Sequence, residues 1–268
     1  MHRDWVFLRG LARESAHWAD FPETFTAKVR ESRIFLADLP GNGRHFASRS
    51  PSSITSMMEL IRHSSLSALP ATGGSSVEAP RYLLAISLGA MVAVEWMSRY
   101  PEEIAGAVLI NTSLRGINPI HQRLQWRAWP ELARIVLTHD PVLREQRILQ
   151  LTSRERSQDS ALALAFASAF RLRPMRRINL MRQLWAAATY QAPPSPPLAP
   201  VLLLSSHADQ MVSPACSAAI ANAWHAPLAC HPWAGHDLPL DDPDWVADRV
   251  NTWLSQSPSV CNQVVTDR

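Results

Sequence analysis

The sequence predicts an α/β chain: a mostly parallel sheet of about six strands flanked by helices, with a helical insertion after the fourth strand. Three observations carry this. Six short apolar runs, at residues 5–8, 34–37, 82–86, 107–110, 201–204 and 228–230, alternate with longer amphipathic stretches, the pattern of strand–helix units around a parallel sheet. Most runs are continuously apolar rather than alternating, as strands covered on both faces are. The stretch 114–200 is far too long for a plain connection between two strands.

Along the chain, the first run is followed by Trp18, Phe21, Phe25 and Val29 at helical spacing, which predicts one helix through all four. Ile54, Met57, Met58 and Ile61 repeat that spacing and predict a second. Residues 68–80, rich in Pro, Gly, Ser and Ala, read as a surface loop. The third strand leads into a helix that begins near Leu88 and ends before Pro101, because a proline disfavours helix at the residue before it. Within the long interruption, apolar spacing near 120–138, 141–151, 157–171 and 174–190 predicts a mostly helical insertion, closed by the stiff spacer APPSPPLAP. A further helix follows Pro214, and a last one opens near Asp242-Pro243 and ends near Trp253 and Leu254. The division expected is a core of 1–113 and 200–256, a helical cap at 114–199 and a disordered polar tail at 257–268.

At 268 residues the chain can form one large α/β domain, and 47% hydrophobic with 18% charged residues is ordinary for a protein with a real core. A net charge of +3 gives no reason to expect a nucleic-acid partner. The arginines are not interleaved with aromatic platforms or nucleic-acid-binding motifs either. Cys216, Cys230 and Cys261 form no framework or metal pattern and read as reduced thiols. The opening MHRDWVFLRG offers only a four-residue apolar run before Arg9, too short for a signal peptide, and no stretch is long enough for a membrane span. A cytoplasmic protein is the expectation.

The chemistry centres on Ala85-Ile86-Ser87-Leu88-Gly89, between a strand and a helix. A serine hydroxyl becomes a useful nucleophile when a tight turn exposes it and a base removes its proton. Small residues two before and two after it permit that turn. Alone, the pentapeptide is equally a plain strand–helix turn. Asp209, in the loop after the fifth run, and His236, just past the sixth, change that balance. Ligands of open parallel sheets bind at the carboxyl ends of the strands, where all three residues would converge. Ser87 would be nucleophile, His236 base and Asp209 orienting acid. Asp237 is a rival acid, but a residue rarely faces its own neighbour. Asp241 and Asp242 look like helix-start residues. The backbone N–H of Leu88 would serve a developing oxyanion.

These residues, with DLPGNGR at 38–44 and VFLRGLARESAHW at 6–18, make the chain resemble the α/β-hydrolase superfamily along nearly its whole length. The resemblance implies serine ester hydrolysis, with Leu11 supplying a second oxyanion N–H beside Leu88. It also implies a lid-like role for the insertion, similar in position and length to the cap of esterases related to pimeloyl-acyl-carrier-protein methyl ester esterase. Three features depart from the family: Ala85 stands where glycine is usual two residues before the serine, Arg9-Gly10 stands where His-Gly is usual, and the early antiparallel hairpin is missing. Arg9 would either organise the loop by hydrogen bonding or face substrate. The same triad also serves thioesterases and lyases, and a non-catalytic ligand receptor on this fold is the alternative of a different class.

Residues 114–190 hold thirteen arginines against five acids, a net +8, leaving −5 for the remainder. Such segregation suits an acidic acyl carrier, a phosphate-bearing thioester or an anionic lipid, although a solvated arginine-rich face explains it equally. Trp126, Trp129 and Trp185 are candidates to line an acyl pocket, or are simple core. No cofactor or metal is indicated. His207 and Asp209 are only two isolated ligands, and the P-loop and dinucleotide fingerprints are absent.

Overall fold

The computed structural model describes residues 2–69 and 80–256. Most of the loop expected at 68–80 and the whole of the tail expected at 257–268 lie outside them. Six strands form one sheet: β1 (Arg3–Leu8), β2 (Ser32–Ala37), β3 (Arg81–Ile86), β4 (Ile104–Ile110), β5 (Val201–Ser206) and β6 (Leu228–His231). Their order is β2-β1-β3-β4-β5-β6, and every neighbouring pair is parallel.

Continuous apolar runs follow from two covered faces. On one face Val6, Leu8, Leu83, Ala85 and Leu109 pack against α2 (Ile54–Ala68), α3 (Leu88–Arg99) and α9 (Pro214–Trp224). On the other, Trp5, Phe7, Leu84, Ile86 and Val108 meet α1 (Phe21–Lys28) and α11 (Pro243–Gln256), the latter preceded by the short α10 (Leu238–Asp241). The period-2 alternation of the strand divides each run between the two layers. Rings fill the second layer: Phe7 lies 5.2 Å from Trp18, 5.6 Å from Phe21 and 5.0 Å from Phe25, centroid to centroid.

The single helix expected through Trp18, Phe21, Phe25 and Val29 is two pieces. A 3₁₀ turn covers Ser15–Trp18, the chain reverses at Ala19 (φ +48°), and α1 starts at Phe21. Pro22 accounts for the break: its ring would clash with the carbonyl of Trp18 and it has no N–H to continue the ladder. The first strand also begins earlier than its apolar run, because polar Asp4 is paired with Arg33 of the neighbouring strand at 2.7 Å.

Between β4 and β5 the chain passes through α4 (Ile120–Arg123), α5 (Trp129–Leu137), α6 (Pro141–Thr152), α7 (Ser160–Leu172) and α8 (Arg177–Thr189). Polar contacts tie these helices to the loops at the carboxyl ends of the strands. Arg13 donates to buried Glu145 at 2.6 Å, and Arg173 pairs with Glu14. From α8, Gln183 accepts from the N–H of Ala12 at 3.2 Å and donates to Asn42 at 3.0 Å. Asn179 bonds the backbone at Ser48 and Ser50.

His17 is sealed at this junction, its ring 4.6 Å from that of Phe166 and its Nδ1 accepting the N–H of Glu14. Burial, then the charges of Arg13 and Arg9, hold its pKa well below the usual value. The unfolded chain therefore binds a proton here that the folded chain refuses, and stability contributed by neutral His17 is present above about pH 6.5 and lost as the pH falls below it. Urea unfolding at pH 7.5 and 5.5 should show a larger acid loss for the wild type than for His17→Gln.

Candidate active site

Ser87 sits between β3 and α3 with φ +55° and ψ −118°, a backbone conformation that costs a non-glycine residue of order 1–3 kcal/mol. Its surroundings hold it there. The N–H of Ser87 donates to Ile110 at 2.9 Å, and its carbonyl accepts from Thr112 Oγ1 at 2.9 Å. The β1 end presses from the other side. A Cβ on Gly89 would lie 2.6 Å from the carbonyl oxygens of Leu8 and Arg9, so no side chain fits. A Cβ on Gly10 would stand 3.2 Å from that of Ser87. Ser87 is half-buried, and no hydrogen bond joins its hydroxyl to His236 among the described residues.

His236 and Asp209 are joined directly, Nδ1 to Oδ2 at 2.7 Å, both buried. The other oxygen of Asp209 accepts the N–H groups of Met211 and Val212 at 2.8 and 3.0 Å, so the carboxylate is fixed in orientation. Burial works against a charged imidazole. The charge and hydrogen bond of Asp209, with Asp237, outweigh it, and the pKa of His236 stands above its usual value while Arg9 pulls the other way. Asp237 is not the partner acid.

Arg9 is turned inward and organises the loop by hydrogen bonding. It is 2% exposed, stacks 4.7 Å over Trp18, and grips Asp237 with both terminal nitrogens, at 2.9 and 2.5 Å. The N–H of Asp237 in turn donates to Thr152 of the insertion at 2.7 Å. This clamp fastens the loop of Gly10 to the loop of His236. Beyond Gly10, a turn closes from Arg13 N–H to the Gly10 carbonyl, with Ala12 at φ +57°. Leu11 lies inside that turn. Leu88 opens α3, and its N–H lies in the first turn, where the helix supplies no partner.

Three groups escaped the sequence. Asn111 (φ +46°) accepts from Ser206 N–H and donates to the carbonyl of His236, both at 2.9 Å, which joins the ends of β4 and β5 to the histidine loop. Asp241 was expected to start the last helix. Instead its buried carboxylate accepts from the Ser153 hydroxyl and the N–H groups of Arg154, Glu155 and Gly235. Asp242 does cap α11, accepting from Trp245 N–H at 2.9 Å. Gln125 reaches the carbonyl of Asp209 at 2.8 Å. Polar residues beside turns are too common for such partners to be read from sequence; an asparagine just past a strand is the one local signal.

Asn111→Gly keeps the left-handed backbone but removes the side-chain bonds. If His236 acts in catalysis, kcat should fall by about tenfold or more with little change in KM, which steady-state kinetics will show.

Trp126, Trp129 and Trp185 do not line a closed pocket: they are 71%, 60% and 64% exposed. The inner side of α8 is filled by Asn179, Gln183 and Ala186 instead. Among the described residues no cluster of side chains could hold a metal ion, and no helix is long and apolar enough to cross a membrane.

The sequence model of the alpha/beta hydrolase family matches residues 5–249. A search of curated proteins by sequence finds no match. Among solved structures, the chain is similar to the putative non-heme bromoperoxidase BpoC from Mycobacterium tuberculosis H37Rv, with 21% identity, TM-score 0.68, and 95% of this chain and 92% of that chain covered. It is also similar to the esterase RhEst1 from Rhodococcus sp. ECU1013, with 18% identity, TM-score 0.71, and coverage of 95% and 91%. The enol-lactonase from Burkholderia xenovorans LB400 gives 17% identity, TM-score 0.73, and coverage of 96% and 92%.

Proposed function

The chain belongs to the alpha/beta hydrolase family, and from that premise we propose that it is a serine hydrolase of carboxylic esters working through an acyl-enzyme. The observation that carries the reading is a strained serine at a strand–helix turn, at the same carboxyl end of the parallel strands as a buried histidine hydrogen-bonded to an aspartate at 2.7 Å. An esterase and an enol-lactonase among the similar structures are in keeping with acyl–oxygen cleavage.

His236 takes the proton of Ser87 as Oγ attacks the ester carbonyl, while Asp209 holds the imidazole in the tautomer that exposes Nε2 and balances its charge. The N–H groups of Leu11 and Leu88 receive the oxyanion. Collapse of the tetrahedral adduct breaks the bond to the alcohol, which leaves with the proton from His236. Water, deprotonated by the same histidine, then releases the acid. Since the pKa of His236 is raised, the acid limb of kcat/KM should lie above the usual imidazole value.

The test is hydrolysis of p-nitrophenyl esters from acetate to laurate, beside the matching acyl thioesters. Ester turnover with a chain-length optimum supports the reading. Thioester turnover alone moves it to a thioesterase. Inactivity on both, with no labelling by a fluorophosphonate, leaves the non-catalytic receptor.

A further inference from the structure

α8 is amphipathic the wrong way round. Its inward face carries Asn179 and Gln183, both 0% exposed, and each is satisfied by hydrogen bonds to the loops beneath. Its outward face carries Ile178, Met181 and Trp185, which are 54%, 60% and 64% exposed and lie three and four residues apart, hence on one side of the helix. A surface helix ordinarily hides this stripe.

The apolar surface continues beyond α8. Leu172, at the end of α7, is highly exposed just before the turn that leads into α8. At the other end, the Arg123 guanidinium donates to the carbonyls of Ala187 and Ala188. That bond brings the start of the segment bearing exposed Trp126 and Trp129 beside the end of α8.

The unpaired charge around this surface is positive: Glu131, beside Trp129, is already paired with Arg134 and Arg147. Arg127, Arg171, Arg176 and Arg177 are exposed, and among the described residues none makes an ion pair. Arg176 and Arg177 also stand at the positive end of α8, with no acid in its first turn, an arrangement that an external anion would relieve. The helices lie in the stretch with a net +8, against −5 elsewhere.

We infer that the outward face of α8, with the neighbouring Trp126–Trp129 segment and the α7–α8 turn, docks on an anionic lipid bilayer. Bulky apolar side chains enter the headgroup–acyl boundary, tryptophans sit at the headgroup level, and arginines pair with lipid phosphates. A second copy of the chain fits less well, since a two-fold contact would place unpaired arginines near their own equivalents. An acidic carrier protein would answer the arginines but leave this breadth of apolar and indole surface without a counterpart.

The proposal concerns binding and stands whether or not Ser87 is a nucleophile. Co-sedimentation of the full chain with phosphatidylcholine vesicles, with and without phosphatidylglycerol, tests it. We expect binding to the anionic vesicles that weakens as salt rises, with Ser87→Ala binding as the wild type does. Ile178→Ser/Met181→Ser should weaken partitioning by about tenfold or more, and Arg176→Gln/Arg177→Gln by about tenfold. All four positions are exposed, and circular dichroism will verify that the variants fold. Failure to bind anionic vesicles at low salt overturns the proposal. So does binding that neither double variant weakens, a dimer in solution that Ile178→Ser/Met181→Ser dissociates, or capture by an acyl carrier protein without vesicle binding.

Discussion

Ser87→Ala should abolish ester turnover, lowering kcat by roughly 10⁴-fold or more, while the protein stays folded. The size of the effect follows from the role: without Oγ no acyl-enzyme forms, and what remains is water attack helped by oxyanion contacts alone. Stability should move the other way or stay level. The residue holds φ +55° whatever its side chain, and its hydroxyl makes no hydrogen bond among the described residues that alanine would remove. Fluorophosphonate labelling read by mass spectrometry gives an independent measure: the adduct should map to Ser87 and vanish in the variant. Retained turnover with unchanged labelling would remove Ser87 from the mechanism and leave the strained turn a feature of the fold.

Arg9→Met should be the most damaging change outside the reacting groups. It strips both donors from Asp237, a buried carboxylate whose side chain is 5% exposed, and an orphaned buried charge of this kind costs about 3–5 kcal/mol. For a chain of this size that is a fall in Tm of roughly 6–20 °C. The replacement keeps an apolar body over Trp18, so most of the loss belongs to the ion pair. Arg9→Met/Asp237→Asn should recover a large part of it, because no charge is then left unpaired. The pH profile supplies a readout that lost stability does not. Arg9 lowers the pKa of His236 and Asp237 raises it. Removing the guanidinium alone should move the acid limb of kcat/KM to higher pH, and Asp237→Asn alone should move it lower. Coincident profiles for all three proteins would reduce the clamp to a structural tie.

The six strands were legible because burial on both faces writes itself as unbroken apolar runs, and Val201 to Leu204 could hardly be anything else. Ser87, Asp209 and His236 were legible as candidates because each follows a strand. What sequence could not give was direction. The spacing of Ile178, Met181 and Trp185 marks one side of a helix but does not say whether that side faces in or out. Asn179 and Gln183 took the inside because unpaired backbone groups in the loops at Ala12 and Ser50 needed them. Arg9 was ambiguous for a related reason: its partner lies 228 residues away. Pro22 differs from these, since its break in the helix needs no distant partner and follows from covalent structure alone.

The pairing of β4 with β5 has a kinetic consequence. Roughly ninety residues separate Ile110 from Val201, and closing a loop of that length costs little more than closing a short one, since each doubling adds only about 0.6 kcal/mol. Equilibrium stability therefore tolerates the insertion, but the search for that pairing is slow. During synthesis the strand–turn–helix unit holding Ser87 emerges and can pair with its neighbours early. Asp209 and His236 emerge last and must wait until the insertion has folded and β5 has found its edge. On the proposed mechanism, hydrolytic competence is thus delayed to the end of folding, and a nascent or partly folded chain would carry Ser87 without its base.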